Sequence, residues 1–386
     1  MHLKCIIWVH LTYKFLVTAL AHIIHILHSF GTGGMERIVA SVIEGTLSPL
    51  LRHSVVCMTD CGDSSRFLPG DVTLTALHKP PGNSFHFIRR LSRHLAGMHP
   101  DVVHTYNWSG TDGIIAARLA GINTIIHSEH GWDMDDPHGS SRKRIYIRRF
   151  LSRFTIGITC VSKQMEGWLT SAVKVRCPVH HIYNGVDTEQ FRPDGRSSIR
   201  QELAIPAQAF VCGIVSRLDP IKDHPLLLRV FSRFLQRCPD AYLLIVGDGP
   251  ERDRLRKIAG PHVCFLGNRH DISYILRGLD LFVLTSLNEG ISCAITEAMA
   301  SGLPVVASAV GGNTELVEPG RTGLLFPAGD GGELLECLLR CHADRAMLRR
   351  FGRAGRRKMV AEFSNEQMIR AYQSLYQRAL NLSEPA

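Results

Sequence analysis

Residues Glu289–Ser308, EGISCAITEAMASGLPVVAS, carry two carboxylates eight positions apart, Glu289 and Glu297. The first follows the apolar run LDLFVLTS in a turn, and the second falls within the helix that this turn opens. Free N–H groups at a helix start attract phosphate, and a carboxylate further along can accept two hydrogen bonds from a ribose diol. The stretch therefore predicts a sugar-nucleotide site. Taken alone, two glutamates at this spacing are more typical of an amphipathic surface helix.

Length and composition are those of a folded enzyme. The 386 residues favour two domains, and the fractions of hydrophobic (45%) and charged (20%) residues are ordinary for a globular protein. The formal net charge of +9 indicates attraction to an anion, whether nucleic acid, anionic lipid or a phosphorylated substrate. Eleven cysteines form no CxxC pair and no Cys/His ligand spacing, which predicts free thiols in a reducing cytoplasm.

The first twenty residues are apolar, but Lys14 and His10 interrupt them and no small-residue cleavage site follows. We expect residues 1–20 to be an extension ahead of the first strand. An upstream start codon and a membrane-surface helix both fit this segment, and no function is assigned to it.

Short apolar strands alternate with helical stretches in both halves, which indicates parallel α/β units. A linker is predicted at Asn184–Gly195, where turn residues and a proline separate the halves. The pattern predicts two Rossmann-like domains facing each other across a cleft. The strands read from the sequence are HIIHILHS, HSVVCMT, DVVHTY, TIIHSEH and FTIGITCVS in the first half, and FVCGIVSR, AYLLIVGDG, VCFLG, LDLFVLTS, LPVVAS and TGLLFP in the second.

Two further loops have the composition of phosphate-binding segments. GTGGMER (Gly31–Arg37) follows the first strand, and its glycines permit close backbone approach to a ligand. A dinucleotide fingerprint is excluded there because Glu36 stands where a third glycine is needed. SRLDPIKD (Ser216–Asp223) follows the first strand of the second half. Its Arg217 and Lys222 lie at a strand's carboxyl end, where α/β ligands bind, so we expect them to meet a diphosphate.

The segment IIHSEHGWD (Ile125–Asp133) ends a strand with two histidines. A histidine at such a position can orient a sugar hydroxyl or transfer a proton near neutral pH. His127 follows an apolar run and is expected to pack in the interior. The acids of DMDD (133–136) contain a D-x-D, but they lie in a loop, and no metal site is predicted.

A basic amphipathic helix is predicted at SRKRIYIRRFLSRF (Ser141–Phe154), where six cations stand among Ile, Tyr and Phe. This composition suits an anionic membrane surface, and a solvated helix face explains it equally well. Nucleic acid is not expected as a partner because no recognition motif accompanies the charge.

These motifs together resemble the donor-site signature of the retaining glycosyltransferases of family 4, from about Ile24 to about Tyr376. The resemblance implies the GT-B fold and a metal-independent hexosyltransferase-type enzyme (EC 2.4) without a cofactor. The implied domains are an extension (1–20), an acceptor domain (21–188), a nucleotide-sugar domain (189–360) and a C-terminal helix packing back on the first domain (361–386).

The resemblance also implies roles for individual residues. Arg217 and Lys222 would bind the leaving diphosphate, Glu297 the ribose, Glu289 the sugar and His130 the reacting region. Glu315 would face the donor or cap local structure. The implied catalytic set is His130, Glu289, Arg217 and Lys222, and the implied donor-binding set is Gly33, Gly34, Arg217, Lys222, Gly247, Arg269, Glu289, Gly290, Ile291 and Glu297.

A closer resemblance rests on GTGGMER, HTYNWSGTDG, HSEHGWD and YNGVDTEQF in this order. It is to the sugar transferases of exosortase-linked exopolysaccharide gene clusters. This implies a cytoplasmic enzyme, peripheral on the inner face of the membrane, that moves a sugar from a nucleotide-sugar to a saccharide or lipid-linked acceptor. Ser292 and Cys293 depart from the residues common in relatives, so the sugar stays open. The alternatives are a non-catalytic transferase-like partner in a membrane assembly complex and a GT-B sugar-nucleotide epimerase.

Overall fold

The computed structural model describes residues 20–31, 33–82, 84–132, 135–195 and 197–381. The predicted extension therefore lies outside the described residues except for Leu20, and so does Asp133 of the DMDD loop. Within these ranges no helix is both long and apolar enough to cross a membrane.

The first sheet has seven strands in the order β3-β2-β1-β4-β5-β6-β7. Its neighbouring strands with a recorded register run parallel. The strands are β1 (Ala21–Leu27), β2 (Leu51–Cys57), β3 (Thr73–Ala76), β4 (Val102–Tyr106), β5 (Ile125–Glu129), β6 (Gly157–Cys160) and β7 (Val179–His181). Its helices are α1 (Gly34–Thr46), α2 (Phe85–Met98), α3 (Thr111–Leu119), α4 (Arg142–Leu151) and α5 (Lys163–Gly167).

The second sheet has six parallel strands in the order β10-β9-β8-β11-β12-β13. Its strands are β8 (Phe210–Val215), β9 (Ala241–Val246), β10 (Val263–Gly267), β11 (Leu281–Leu284), β12 (Val305–Ser308) and β13 (Gly323–Phe326). The helices are α6 (Ile199–Glu202), α7 (His224–Leu235), α8 (Arg252–Ile258), α9 (Ile272–Leu276), α10 (Cys293–Ala300), α11 (Asn313–Leu316), α12 (Gly331–Ala343), α13 (Arg345–Glu362) and α14 (Asn365–Asn381).

Both sheets reverse their strand order at one point, between β1 and β4 and between β8 and β11. In open parallel sheets, ligands bind beyond the carboxyl ends of the strands at such a reversal. The predicted fold class, two parallel α/β sheets of Rossmann type, is confirmed. Every strand read from the sequence is present, and β3 and β7 are two strands that the sequence reading did not contain.

The chain folds into two compact units. The first unit contains the chain up to His127, Phe154–Ile156 and the end of α14 from Tyr372. The second unit contains Ser128–Arg153 and Gly157–Ala371. The segment from the end of β5 through α4 therefore belongs to the same unit as the loops of the six-stranded sheet.

Histidine and tyrosine side chains form a polar cluster inside the first unit. His25 lies between Tyr106, whose hydroxyl is 2.7 Å from Nδ1, and His53, whose Nδ1 is 2.9 Å from Nε2. His104 Nδ1 lies 2.9 Å from the hydroxyl of Tyr376, near the end of α14. All five are buried. Burial lowers the pKa of His53 to about 4 and holds that of His25 well below its usual value, because the protonated ring would lose its hydration. His25 and His53 are therefore neutral at pH 7.

Candidate functional site

Two loops lie side by side at the carboxyl ends of β8 and β11, where the six-stranded sheet reverses its order. The hydroxyl of Thr285 donates to the carbonyl of Lys222 at 2.8 Å. The backbone N–H of Leu287 donates to the carbonyl of Ile221, also at 2.8 Å. These bonds hold the loop after β11 against the SRLDPIKD loop, so that the two predicted donor segments form one surface.

A charged side-chain pair joins the same loops. Lys222 Nζ lies 2.6 Å from Glu289 Oε1, and the Ser286 hydroxyl donates to the same oxygen at 2.6 Å. The side chains of Lys222 and Glu289 are 17% and 10% exposed. Charge-assisted hydrogen bonds in a half-buried setting fix geometry well. The structure thus brings together the lysine and the first glutamate that the sequence predicted for one site.

Arg217 lies on the same loop but extends further into solvent. Its guanidinium contacts the Asp219 carboxylate at 2.9 Å, and its side chain is 62% exposed, against 12% for Asp219. An exposed arginine whose carboxylate partner is almost buried can turn towards an anion at little cost in packing. Arg217 therefore supplies an exposed cation on the loop that also carries the half-buried Lys222.

Gly247, at the end of β9, lies directly beneath the SRLDPIKD loop. Its φ of +129° is a conformation that L side chains rarely adopt, and a Cβ there would overlap the carbonyl of Ser216. The neighbouring Asp248 carbonyl accepts from the N–H of Leu218 at 2.9 Å. Glycine at this position allows the two loops to touch backbone to backbone, which is a supporting role for the predicted site residue.

The helix that carries the second glutamate begins immediately beyond this surface. Ser292 caps α10 by accepting a hydrogen bond from the N–H of Ile295 at 3.3 Å. Gly290 and Ile291 are buried in the turn before it, and Glu297 is half-buried within the helix. The predicted arrangement of turn, helix start and helical glutamate is present as a local structure.

The strand end that carries His130 packs against this turn, and both belong to the second unit. A Cβ on Gly290 would overlap the carbonyl oxygen of His130 and lie 2.8 Å from Cα of Gly131. The amide of Asn288 donates to the carbonyl of Pro137. His130 itself is buried, with 9% of its surface exposed. The structure thus joins a third predicted segment, HSEHGWD, to the loop that carries Glu289.

Other predicted residues lie elsewhere. Gly33 and Gly34 form the start of α1 and belong to the first unit. Arg269 follows β10, the edge strand two places from β8, and makes a two-pronged contact with Asp271 at 2.8 and 2.5 Å. That contact raises the pKa of Arg269 and lowers that of Asp271, since each charge stabilises the other.

Two residues are accounted for by local structure. Glu315 caps α5, accepting from the N–H groups of Lys163 (3.0 Å) and Gln164 (3.2 Å), and also accepts from the hydroxyl of Tyr183 at 2.8 Å. Capping, one of its two predicted roles, is therefore the contact that is present. His127 is buried, and its Nδ1 lies 2.8 Å from the hydroxyl of Thr105, as a packing residue should.

His224 was missed by the sequence reading. It is the first residue of α7 and is buried, and its Nε2 lies 3.0 Å from the hydroxyl oxygen of Ser216. Burial, and secondarily the charge of Lys222, lowers its pKa to about 4, so the ring is neutral. Its place directly after the predicted loop, in SRLDPIKDH, was the available signal.

The basic segment is helical over Arg142–Leu151, as predicted, but its charges do not share one face. Arg148 is buried against Glu129, and Arg149 donates from Nε to the carbonyl of Val173 at 2.6 Å. Tyr146 and Phe150 are 63% and 53% exposed. The outward stripe therefore consists of Arg142, Lys143, Tyr146, Phe150 and Arg153.

Comparisons with known proteins agree with the fold. Residues 32–190 match the family described as Glycosyltransferase Family 4, and residues 209–344 match Glycosyl transferases group 1. The UDP-Gal:alpha-D-GlcNAc-diphosphoundecaprenol alpha-1,3-galactosyltransferase of Escherichia coli is 31% identical over 291 residues, covering 72% of this chain and 75% of that protein. The GDP-mannose-dependent alpha-mannosyltransferase of Mycobacterium tuberculosis is 32% identical over 254 residues, covering 62% and 64%.

Solved structures share the fold. HepE of Anabaena, in complex with UDP and glucose, superposes with a TM-score of 0.81 at 23% identity and covers 93% of this chain and 100% of its own. Sucrose-phosphate synthase of Thermosynechococcus elongatus gives 0.79 at 22%, covering 94% and 100%. The chain belongs to the GT-B glycosyltransferases of family 4. The predicted family and the transferase class (EC 2.4) are thereby confirmed.

Proposed function

We propose that this chain is a retaining, metal-independent hexosyltransferase that transfers a sugar from a nucleotide-sugar donor to a lipid-linked saccharide acceptor in exopolysaccharide biosynthesis. The observation that carries the proposal is the Lys222–Glu289 pair at 2.6 Å, at the order reversal of the six-stranded sheet. An exposed second cation and a capped helix start adjoin it. Such a surface offers positive charge to a diphosphate and a carboxylate to sugar hydroxyls.

In this proposal the donor binds mainly to residues 189–360 and the acceptor to residues 21–188. Lys222 and Arg217 hold the diphosphate, and Glu289 accepts hydrogen bonds from the transferred sugar. The half-buried position of Glu297 within α10 supports its role on the ribose, because a side chain fixed by a helix has few orientations. The remaining donor contacts are Gly33, Gly34, Gly247, Arg269, Gly290 and Ile291.

Chemistry follows from the placement of charge. As the bond from the sugar to the diphosphate breaks, negative charge develops on the leaving phosphate, and Lys222 and Arg217 neutralise it without a divalent cation. His130 contacts the reacting region from the strand end beside Gly290. Attack from the same face as the leaving group, with the phosphate taking the acceptor proton, gives retention of configuration.

The relatives and the basic helix support the proposed acceptor and location. The Escherichia coli relative is named for a diphosphoundecaprenol-linked sugar, which supports a lipid-linked acceptor here. The stripe of Arg142, Lys143, Tyr146, Phe150 and Arg153 combines cations with two exposed aromatic rings, a composition that binds the headgroup region of anionic membranes. We place the enzyme in the cytoplasm, peripheral on the inner face of the membrane, in an exosortase-linked polysaccharide system.

The test of donor use is a thermal-shift and nucleotide-release screen across UDP-, GDP- and ADP-sugars with EDTA present. One donor should stabilise the protein and be turned over, and Glu297→Ala should abolish both effects. Glu336→Ala, an exposed acid on α12, is the matched control. No response to any donor, with or without acceptor lipid, would favour the non-catalytic partner. Conversion of a UDP-sugar with no acceptor present and no sugar transferred would identify an epimerase.

Membrane binding has a separate test, by co-sedimentation with phosphatidylglycerol vesicles. Replacing Tyr146 and Phe150 together by Ser should reduce binding by about tenfold or more, because two partly inserted rings are lost. Val360→Ser, at an exposed apolar position on α13, should bind like the wild type. Unchanged binding of the double variant would show that α4 does not contact the membrane surface.

A further inference from the structure

Glu129 and Arg148 form a buried ion pair between the last residue of β5 and α4. Arg148 donates from Nε to Glu129 Oε1 at 2.5 Å and from Nη2 to Oε2 at 3.4 Å. The two residues are 1% and 8% exposed. The guanidinium carbon also lies 5.2 Å from the centre of the Trp168 ring. A two-pronged contact of this kind admits one relative orientation of its partners.

The carboxylate of this pair stands one residue before His130. The carbonyl of His130 and Cα of Gly131 pack directly on Gly290, in the turn that carries Glu289. Any rotation of Glu129 about the end of β5 would therefore displace the backbone that contacts this turn. The ion pair and the candidate site share one short stretch of chain.

The helix that supplies Arg148 is itself held at both ends. Asp136 accepts from the N–H groups of Ser140 at 2.9 Å and Ser141 at 3.1 Å, just before α4 begins. Near its other end, Arg149 donates from Nε to the carbonyl of Val173 at 2.6 Å. Because α4 is fixed independently of the pair, Arg148 presents its guanidinium at a set position to the strand end.

We infer that Glu129 and Arg148 are positioning residues, which hold His130 and Gly131 against the donor turn for the transfer step. This inference rests on the proposed function. A buried ion pair is a poor device for stability alone, because apolar side chains of the same volume would stabilise the fold as well or better. Apolar side chains would not, however, impose the single orientation that a guanidinium–carboxylate contact imposes.

The experiment removes the pair without leaving a buried charge. The double variant Glu129→Met/Arg148→Met should keep the melting temperature of the wild type. It should also keep the wild-type Kd for the nucleoside diphosphate, measured by calorimetry, since Lys222 and Arg217 are untouched. Its kcat for sugar transfer should fall by about 100-fold, the loss that a misplacement of roughly 1 Å produces. Arg148→Lys keeps the charge but not the fork, and should lose part of kcat with the same Kd.

The matched control is Arg200→Met/Asp280→Asn, which removes a half-buried ion pair of 2.8 Å remote from the loops described above. Its kcat should equal that of the wild type. A stable Glu129/Arg148 double variant with near-normal kcat would show that the pair serves packing and would overturn the inference. So would the unfolding of both the double variant and Arg148→Lys, because the pair would then be structural. Absence of turnover by the wild-type chain would instead overturn the proposed function and the positioning role with it.

Discussion

Acid should destabilise the first unit through its buried histidine cluster. In the unfolded chain His53 takes up a proton near pH 6.5, whereas in the folded unit its pKa is about 4. Between these values the unfolded state binds more protons than the folded state, so stability falls as the pH is lowered. The fold therefore has its full stability above pH 6.5, where the ring is neutral in both states. It loses stability as the pH falls from 6.5 to about 4. His25 acts in the same direction.

The magnitude follows from the displacement of that pKa. The pKa values of His53 in the unfolded and folded states differ by roughly 2.5, which corresponds to about 3 kcal/mol in the free energy of unfolding. About 2 kcal/mol of this stability is lost by about pH 5. Burial and the neighbouring charged groups together set the pKa of His53. Burial is the main cause of the low pKa, His22 lowers it further, and Asp71 raises it. Tyr106 stays protonated because burial raises its pKa.

Native-state hydrogen exchange of the β1 and β2 amides measures this loss locally, at about pH 7.5 and about pH 5. In the wild type the free energy of opening should fall by at least about 2 kcal/mol between the two conditions. In His53→Gln the fall should shrink by about that amount. His86→Gln, on the exposed face of α2 in the same unit, should behave like the wild type. An equal fall in the wild type and His53→Gln would refute the reasoning.

Three further predictions concern the donor loops. Arg217→Ala should lower kcat by about 100-fold or more, because the leaving diphosphate loses one of the cations that neutralise it. The melting temperature should stay constant because the side chain is exposed. Normal turnover would show that Arg217 does not bind the diphosphate. Ser286→Ala removes one of two donors to Glu289 Oε1 and should reduce kcat/KM about five- to tenfold, which steady-state kinetics would measure. Gly290→Ala would push the added methyl into the backbone after β5 and should abolish transfer, whereas Gly260→Ala, whose Cβ meets nothing within 4 Å, should leave it unchanged.

Apolar runs were sufficient to predict most of the fold, because strands buried on both faces must be apolar throughout. Two strands lacked that signal. In β3, TLTA, no residue is fully buried, and β7 has three residues, all partly exposed. Both are edge strands, where one side of the ladder is unpaired and the demand for apolar side chains is weaker.

The loops of the candidate site could be located from the sequence, since parallel strands place their carboxyl ends at one edge of a sheet. The contacts within the site could not. Lys222 and Glu289 are 67 positions apart, and both are charged residues in polar loops, so nothing in the local pattern distinguishes a paired lysine from a solvated one. The contact of Ser286 with Glu289 could not be predicted either, because serine is common in turns after strands.

The pairing of Arg148 with Glu129 could have been predicted from the sequence. In the sequence Arg148 is one of the six cations of the predicted basic amphipathic helix. Its helical neighbours at i−3 and i+4 are Ile145 and Ser152, which lie on the inward side with the buried Leu151. An arginine on the apolar side of an amphipathic helix is costly unless a buried acid meets it. Glu129, the buried carboxylate at the end of β5, carries the same cost. Each of these residues predicts the other, and the pairing would have directed attention to the strand end that holds His130.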